Sequence, residues 1–213
     1  AAKAVTGFVA VTRQRGFKVT HWELGNEEYG GPRIDPQDYA DIVVRFVHAV
    51  HVANPGAQVW ITLCDNAIRD PESEFTRWAE TLLQLLAKTD LRDNKHIGFT
   101  LHYVWPSIVG IAAEMVTRHG FRPRFAVTEF HMAGAGDYSD LSPRFGYALA
   151  FAKYFIGMVP DRRIEILAVH DLVSQNFGIL HFNAISYGPP DMTTWAPSRG
   201  YEGMPAGDAC SLF

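Results

Sequence analysis

The chain has 213 residues, 47% of them hydrophobic and 20% charged, which is typical of one folded domain with a sizeable core. Its formal net charge of −4 is spread without long runs of either sign, so we expect no basic surface for nucleic acid or anionic lipid. No stretch reaches the roughly 18 apolar residues that a membrane span requires, so a membrane is not expected as a partner either.

The first part of the chain predicts a helix followed by a buried strand. The helix is expected over residues 2–15. In a secretory signal peptide the positive charges precede the apolar stretch, whereas Arg13 and Arg15 follow it here. A signal peptide is therefore not expected, and the cellular location stays open. The strand is expected over residues 18–24, directly before the polar run Gly25-Asn26-Glu27-Glu28.

The rest of the chain alternates helices and strands. A helix is predicted to start at Pro36 with Asp35 as its N-cap, because proline suits the first helical turn and aspartate accepts from its free N–H groups. It ends near Asn54-Pro55-Gly56. The same patterns predict strands over 58–63, 97–104, 124–130 and 164–170, and helices over 74–87, 107–119 and 142–158.

This alternation predicts an α/β fold with about five parallel strands. The predicted strands are apolar on both faces, which indicates a sheet covered on both sides, as in a (β/α) barrel or a doubly wound sheet. No strand is followed by the GxGxxG loop of dinucleotide-binding sheets, so the dinucleotide version of the open sheet is not supported.

Polar residues stand at the ends of several predicted strands. They are Asn26-Glu27, His102-Tyr103 and Thr128-Glu129, with His170-Asp171 as a weaker fourth group. In β/α barrels the C-terminal strand ends carry the active site, so such side chains can meet over one pocket. One glutamate after a strand is also a common solvated loop residue. Two of them, with a His-Tyr pair on a strand between, favour a functional site.

Two carboxyl groups are what hydrolysis of a glycosidic bond requires, one to protonate the leaving oxygen and one to attack the anomeric carbon. Glu27 and Glu129 could supply this pair about 5 Å apart, the separation of a retaining enzyme. Glu28 is a weaker candidate for the acid. Glu23 has the same strand parity as Glu27 and is interpreted as a buried structural carboxylate with a charged partner.

The motifs resemble those of a known group of enzymes. Trp22-Glu23-Leu24-Gly25-Asn26-Glu27 resembles the acid/base signature at the end of strand four in clan A glycoside hydrolases, in the version of α-L-arabinofuranosidases and the heparanase/β-glucuronidase group. Val127-Thr128-Glu129-Phe130 resembles the strand-seven nucleophile segment of that clan, and His102-Tyr103 its strand-six pair. Residues 35–39 and 54–56 resemble the helix after strand four of arabinofuranosidases.

The resemblance implies a partial (β/α)8 TIM barrel, strands four to eight. Residues 1–175 would form the C-terminal portion of a catalytic barrel, and 176–213 an irregular tail at its end. Five strands are too few to close a barrel with a packed interior, for which about eight are usual. We therefore expect the first and last strands not to pair, and either edge to be covered by another chain, by the tail or by segments outside this sequence.

For function, the resemblance implies retaining hydrolysis of a plant-type polysaccharide or oligosaccharide, by an α-L-arabinofuranosidase or related pentosidase that requires no cofactor. Glu27 would be the acid/base and Glu129 the nucleophile. A glucuronidase or xylosidase of the same clan, and a non-catalytic carbohydrate-binding or assembly module, remain alternatives. The residues expected to contact the carbohydrate are Asn26, Trp22, His102, Tyr103, Trp105 and His170.

Individual roles follow for some of these residues. Asn26 is expected to donate to the sugar 2-hydroxyl, and Tyr103 to hold the nucleophilic carboxylate. His102 is expected to bond to the sugar, while Trp105 either stacks on it or caps the barrel. No metal is expected, because the spacing of the four potential ligands along the sequence matches no known metal-binding motif. These residues are His21, His131, His170 and Asp171. Cys64 and Cys210 are far apart in sequence and are expected to be free thiols.

Overall fold

The computed structural model of the chain describes residues 2–30, 34–130, 145–169, 180–182 and 201–203. Two compact units make up the chain. The first comprises Ala1–Thr128 and Asp161–Leu167, and the second comprises Glu129–Pro160 and Ala168–Phe213. No helix among the described residues is long and apolar enough to cross a membrane.

The core of the first unit is one sheet of five parallel strands in the order β1-β2-β3-β4-β5. The strands are β1 His21–Leu24, β2 Gln58–Cys64, β3 Ile97–His102, β4 Phe125–Glu129 and β5 Ile164–Leu167. This sheet confirms the predicted α/β partial barrel. Within the described residues β1 and β5 are its two edges, so the first and last strands do not pair, as expected.

Helices alternate with the strands as the sequence predicts. They are α1 Ala2–Gln14, α2 Pro36–Ala53, α3 Glu74–Leu86, α4 Pro106–Arg118 and, in the second unit, α5 Phe145–Met158. The N-cap of α2 is confirmed, because Asp35 Oδ1 accepts from the Gln37 backbone N at 2.8 Å. The Ser73 side chain caps α3 in the same way.

The edge strand β1 differs from the sequence prediction. Its pairing with β2 begins at His21, which faces Gln58, so the strand is shorter than the predicted range 18–24. Only Leu24 of β1 is buried, whereas every residue of β3 is buried. The expectation that all strands are covered on both faces is therefore wrong for the edge strand β1 and also for the other edge strand, β5, none of whose residues is buried.

A buried arginine holds the amino end of the sheet together. Arg124 directly precedes β4, and its guanidinium donates to both carboxylate oxygens of Glu165 at 2.6 and 2.7 Å. It also donates to Gln58 Oε1 at 2.8 Å and to the Ile97 carbonyl at 3.1 Å. Hydrogen bonds from Arg124 lower the pKa of Glu165. One side chain thus joins β2, β3 and β5.

The Trp60 ring fills the space above this arginine. The Arg124 guanidinium carbon lies 5.5 Å from the ring centroid, and Trp60 Nε1 donates to His21 Nδ1 at 3.0 Å. Gly98 on the neighbouring strand is required here, because an added Cβ would overlap the Trp60 ring and lie 3.1 Å from the Arg124 carbonyl oxygen. The packing of Trp60 on Arg124 therefore requires a glycine at the second position of β3.

The second unit contains α5 and a short antiparallel pair, β6 Leu180–Phe182 with β7 Tyr201–Gly203. Phe130 stacks on Tyr154 of α5, with ring centroids 3.4 Å apart. The predicted division into residues 1–175 and 176–213 stays a prediction, since most of the second range lies outside the described residues.

Candidate active site

The turn after β1 carries Glu27 in a strained backbone conformation. Gly25 has φ +84°, and an added Cβ there would lie 2.6 Å from Glu28 Oε1. Glu27 itself has φ +52°, a left-handed conformation that costs a non-glycine residue roughly 1–2 kcal/mol. Its carbonyl accepts from the Gly30 N at 2.6 Å. Strain of this kind concentrates at functional sites and persists where neighbouring contacts enforce it.

The end of β1 is fixed by a tyrosine inserted between two strands. The Tyr39 hydroxyl donates to the Leu24 carbonyl at 2.6 Å and accepts from the Thr62 backbone N at 3.1 Å. The Thr62 hydroxyl donates to the same carbonyl at 3.2 Å. The hydroxyl therefore stands where a direct bond between β1 and β2 would continue the ladder. This arrangement anchors the chain directly before the turn that carries Glu27.

His102, the last residue of β3, connects three strands. It is only 2% exposed. Its Nδ1 lies 3.1 Å from Glu27 Oε1, and its Nε2 lies 3.0 Å from Thr128 Oγ1 and 3.4 Å from Glu23 Oε1. Thr128 in turn donates to Glu23 Oε1 at 2.9 Å. We call these four side chains the His102 cluster: Glu23, Glu27, His102 and Thr128.

The His102 cluster also demonstrates the curvature of the sheet. Glu23 is on β1 and Thr128 on β4, with β2 and β3 between them. In a flat sheet these strands would be about 14 Å apart, because neighbours are spaced by about 4.8 Å. A hydrogen bond of 2.9 Å between the two side chains requires the sheet to curl inward at its carboxyl end. The wall of a β/α barrel is curved in the same way.

Further ionisable groups surround Glu27. The Tyr29 hydroxyl donates to Glu27 Oε1 at 3.4 Å, and the pKa of Tyr29 is raised by burial and then by the nearby Glu27 charge. Asp65 follows β2, and its pKa is raised overall, chiefly by burial and also by the Glu27 charge, although a hydrogen bond from the Ala67 backbone N and the nearby His102 lower it in part. An excess of carboxyl groups around one imidazole is an arrangement suited to holding and transferring a proton.

Other predicted residues lie near the same strand ends. Tyr103 follows His102 with φ +52°; its carbonyl accepts from Asn66 Nδ2, and its ring is edge-on to the imidazole at 6.2 Å. Trp105 precedes α4 and is 43% exposed. The backbone N of Asn26 donates to Glu28 Oε1 at 3.3 Å, and its side chain is exposed.

The remaining predicted site residues are Trp22, Glu129 and His170. Trp22 packs against Phe8 of α1, with ring centroids 5.7 Å apart, so its ring contacts the helical layer. Glu129 is the last residue of β4 and the first of the second unit, and its separation from Glu27 stays a prediction. His170 lies outside the described residues.

Two sequence-based interpretations can be compared with the structure. The contact of His102 with a sugar stays a prediction; in the structure both of its ring nitrogens have protein partners and the side chain is buried. Glu23 was expected to be a buried carboxylate, but its side chain is 30% exposed and its partners are His102 and Thr128. Exposure at the sheet edge accounts for the second difference.

Of the four potential metal ligands considered in the sequence, the structure describes only His21. His21 is at the amino end of β1, where its ring stacks on Trp60. His131, His170 and Asp171 lie outside the described residues. Sequence reasoning missed Tyr29 and Asp65 as neighbours of Glu27, although Asp65 directly follows a strand and the same rule that selected Glu27 applies to it.

Several solved enzyme structures have a fold similar to that of this chain. The chain matches the GH51 α-L-arabinofuranosidase of Thermotoga petrophila at a TM-score of 0.64 and 14% identity, over 99% of this chain and 46% of that one. It matches the α-L-arabinofuranosidase of Thermotoga maritima, solved with arabinose, at 0.65 and 13%, again over 99% and 46%. The chain shares their fold.

The fold alone does not select one sugar. The chain also matches a glucosidase of Croceicoccus marinus at a TM-score of 0.58 and 18% identity, over 79% of this chain and 37% of that one. The chain spans about half the length of the arabinofuranosidases it resembles. No family model and no curated protein matches the sequence.

Proposed function

We propose that this chain is the catalytic portion of a retaining glycoside hydrolase, with Glu27 as acid/base and Glu129 as nucleophile. The observation that carries the proposal is the hydrogen bond between Glu27 and the buried His102, at the carboxyl end of a sheet whose fold is shared with glycosidases. Active sites of β/α barrels are built at this end.

In the first step, a carboxylate oxygen of Glu129 attacks the anomeric carbon, and the bond from that carbon to the leaving oxygen breaks. Glu27 gives its proton to the leaving oxygen. In the second step, a water oxygen attacks the anomeric carbon of the glycosyl-enzyme while Glu27 takes one proton from the water. The sugar leaves with retained configuration, and Glu129 is again a carboxylate.

The substrate is proposed to be an α-L-arabinofuranoside or related pentoside of a plant-type polysaccharide. This choice is supported by the Trp22–Glu27 motif together with the fold likeness to two arabinofuranosidases. Asn26, Tyr103 and Trp105 are proposed to contact the sugar, since they follow the strand ends nearest Glu27. Trp22 and His170 are also proposed to contact the sugar. For Trp22 the structure gives no support, because its ring contacts α1.

Covalent labelling tests the nucleophile in the full-length gene product. A 2-fluoro or epoxide analogue of arabinofuranose should attach to Glu129, and peptide mass spectrometry would identify the labelled residue. Glu129→Gln should prevent labelling, whereas Glu28→Gln is the matched control and should be labelled normally. Stoichiometric binding of arabino-oligosaccharide without labelling or turnover would instead support the carbohydrate-binding module.

Rate measurements test the acid/base role. Glu27→Gln should slow hydrolysis of natural oligosaccharides by about 10²–10⁴-fold, the usual contribution of a general acid, but should spare the first step on an activated aryl glycoside. Glu129→Gln should abolish turnover of both substrates. Activity of Glu129→Gln on the aryl glycoside would reverse the roles, and full activity of both variants would exclude this site.

A further inference from the structure

The hydrogen bonds of the His102 cluster determine where its protons are. The Thr128 hydroxyl has one hydrogen, which it donates to Glu23 Oε1 at 2.9 Å. Towards His102 Nε2, at 3.0 Å, the same oxygen must therefore accept. The imidazole consequently carries a hydrogen on Nε2. With the opposite tautomer, the single Thr128 hydrogen would have to turn to Nε2, and Glu23 Oε1 would lose its donors from both Thr128 and His102.

The other ring nitrogen then faces the proposed acid/base. With the hydrogen on Nε2, Nδ1 of a neutral imidazole has only a lone pair, and it lies 3.1 Å from Glu27 Oε1. A hydrogen bond over this distance needs one proton between the two atoms. Either Glu27 is protonated and donates to Nδ1, or the imidazolium donates to the Glu27 carboxylate. In both forms the pair holds one transferable proton.

We propose that Glu23 and Thr128 are positioning residues that fix the tautomer of His102, so that Glu27 and His102 together keep one proton ready for the leaving group. This inference rests on the proposed acid/base role of Glu27. It adds two residues, on β1 and β4, that are assigned no contact with the substrate. Orientation of a histidine by a carboxylate on its far nitrogen is a general means of selecting the tautomer.

The proton balance closes over both steps of the reaction. When the pair gives its proton to the leaving oxygen, Glu27 is left as a carboxylate and His102 as a neutral ring with hydrogen on Nε2. Two lone pairs then face each other at 3.1 Å, which favours return of a proton. The attacking water supplies that proton. Ionisable groups near Glu27 in the described part of the chain include Tyr29, which donates to Glu27, and Asp65.

The tautomer can be measured without any substrate. In the full-length protein with ¹⁵N-labelled histidine, the chemical shifts and two-bond couplings of His102 should show a protonated Nε2, with the signal assigned by its loss in His102→Asn. Thr128→Val should shift the ring to a mixture of tautomers. Thr128→Ser retains the hydroxyl and should restore the wild-type pattern. An unprotonated Nε2 in the wild-type protein would overturn the proposal.

The matched control is a threonine on the neighbouring strand. Thr100 of β3 is buried, and its hydroxyl has no hydrogen-bond partner within the described part of the chain. Thr100→Val therefore makes the same chemical change in the same sheet without removing a hydrogen bond of the His102 cluster, and it should leave the His102 tautomer unchanged. A change as large as that of Thr128→Val would show a general effect on packing and contradict the proposal.

Kinetics link the tautomer to catalysis. Thr128→Val and Glu23→Gln should each lower kcat/KM on natural oligosaccharides by about 10-fold, a fraction of the general-acid effect, and leave an activated aryl glycoside within about 2-fold. Equal loss on both substrates would overturn the positioning role. If the wild-type protein turned over no glycoside while Nε2 remained protonated, the proposed function would fail and the tautomer assignment would stand.

Discussion

Replacing Tyr39 with phenylalanine is expected to lower the free energy of unfolding by about 1–3 kcal/mol, the cost of leaving one buried donor without a partner. The donor is the Thr62 backbone N, which bonds to the Tyr39 hydroxyl at 3.1 Å in a residue that is 1% exposed. The Leu24 carbonyl would keep its bond from the Thr62 hydroxyl. The ring itself stays buried, so little apolar contact is lost.

A double-mutant cycle separates the two bonds on that carbonyl. Tyr39→Phe and Thr62→Val each leave the Leu24 carbonyl with one partner, but together they leave it with neither. The combined loss should therefore exceed the sum of the single losses by about 1 kcal/mol. Thr100→Val, which removes a hydroxyl without a hydrogen-bond partner, should be additive with Tyr39→Phe.

Urea unfolding, followed by circular dichroism at neutral pH, measures all of these variants. In thermal unfolding each kcal/mol should appear as a shift of about 2–4 °C for a chain of this size. A Tyr39→Phe variant as stable as the wild type would refute the reasoning. It would mean that β1 and β2 close the ladder directly and that the tyrosine does not hold the end of β1 in place.

Two further predictions concern the amino end of the sheet. Because hydrogen bonds from Arg124 hold the pKa of Glu165 below its ordinary value of 4.5, the stability from this pair is present above that pH and is lost as pH falls through the lowered pKa. Glu165→Gln should therefore reduce the urea midpoint more at pH 7 than at pH 3, and a constant difference would contradict this. Gly98→Ala should destabilise by about 1–3 kcal/mol, because its Cβ would overlap the Trp60 ring; in a Trp60→Leu background the loss should shrink, and an unchanged loss would exclude the clash.

The alternation of the chain predicted the fold because each element carries its own local signal. Pro36 after Asp35 marks the start of α2, and the polar run after a strand marks Glu27. Contacts between distant strands have no such signal. The bond between Glu23 and Thr128 depends on the curl of the sheet, which no local pattern encodes.

Strand position gave partial information on Glu23 and His102. Glu23 and Glu27 have the same parity in the sequence, and both side chains do contact His102. A strand-end position cannot tell whether a histidine faces a ligand or other side chains. His102 is enclosed because strands on both sides of β3 supply its partners, Glu27 from the turn after β1 and Thr128 from β4.

The Arg124 contacts have a consequence for the order of events during protein synthesis. Arg124 is 8% exposed, and its carboxylate partner, Glu165, is 41 residues further along the chain. A nascent chain that has emerged only as far as β4 would bury a guanidinium with no opposing charge, which is strongly unfavourable. At roughly 5–20 residues per second, translation supplies Glu165 about 2–8 s later. The amino end of the sheet should therefore stay hydrated until β5 is made, and a ribosome stalled between these positions should carry a protease-sensitive intermediate.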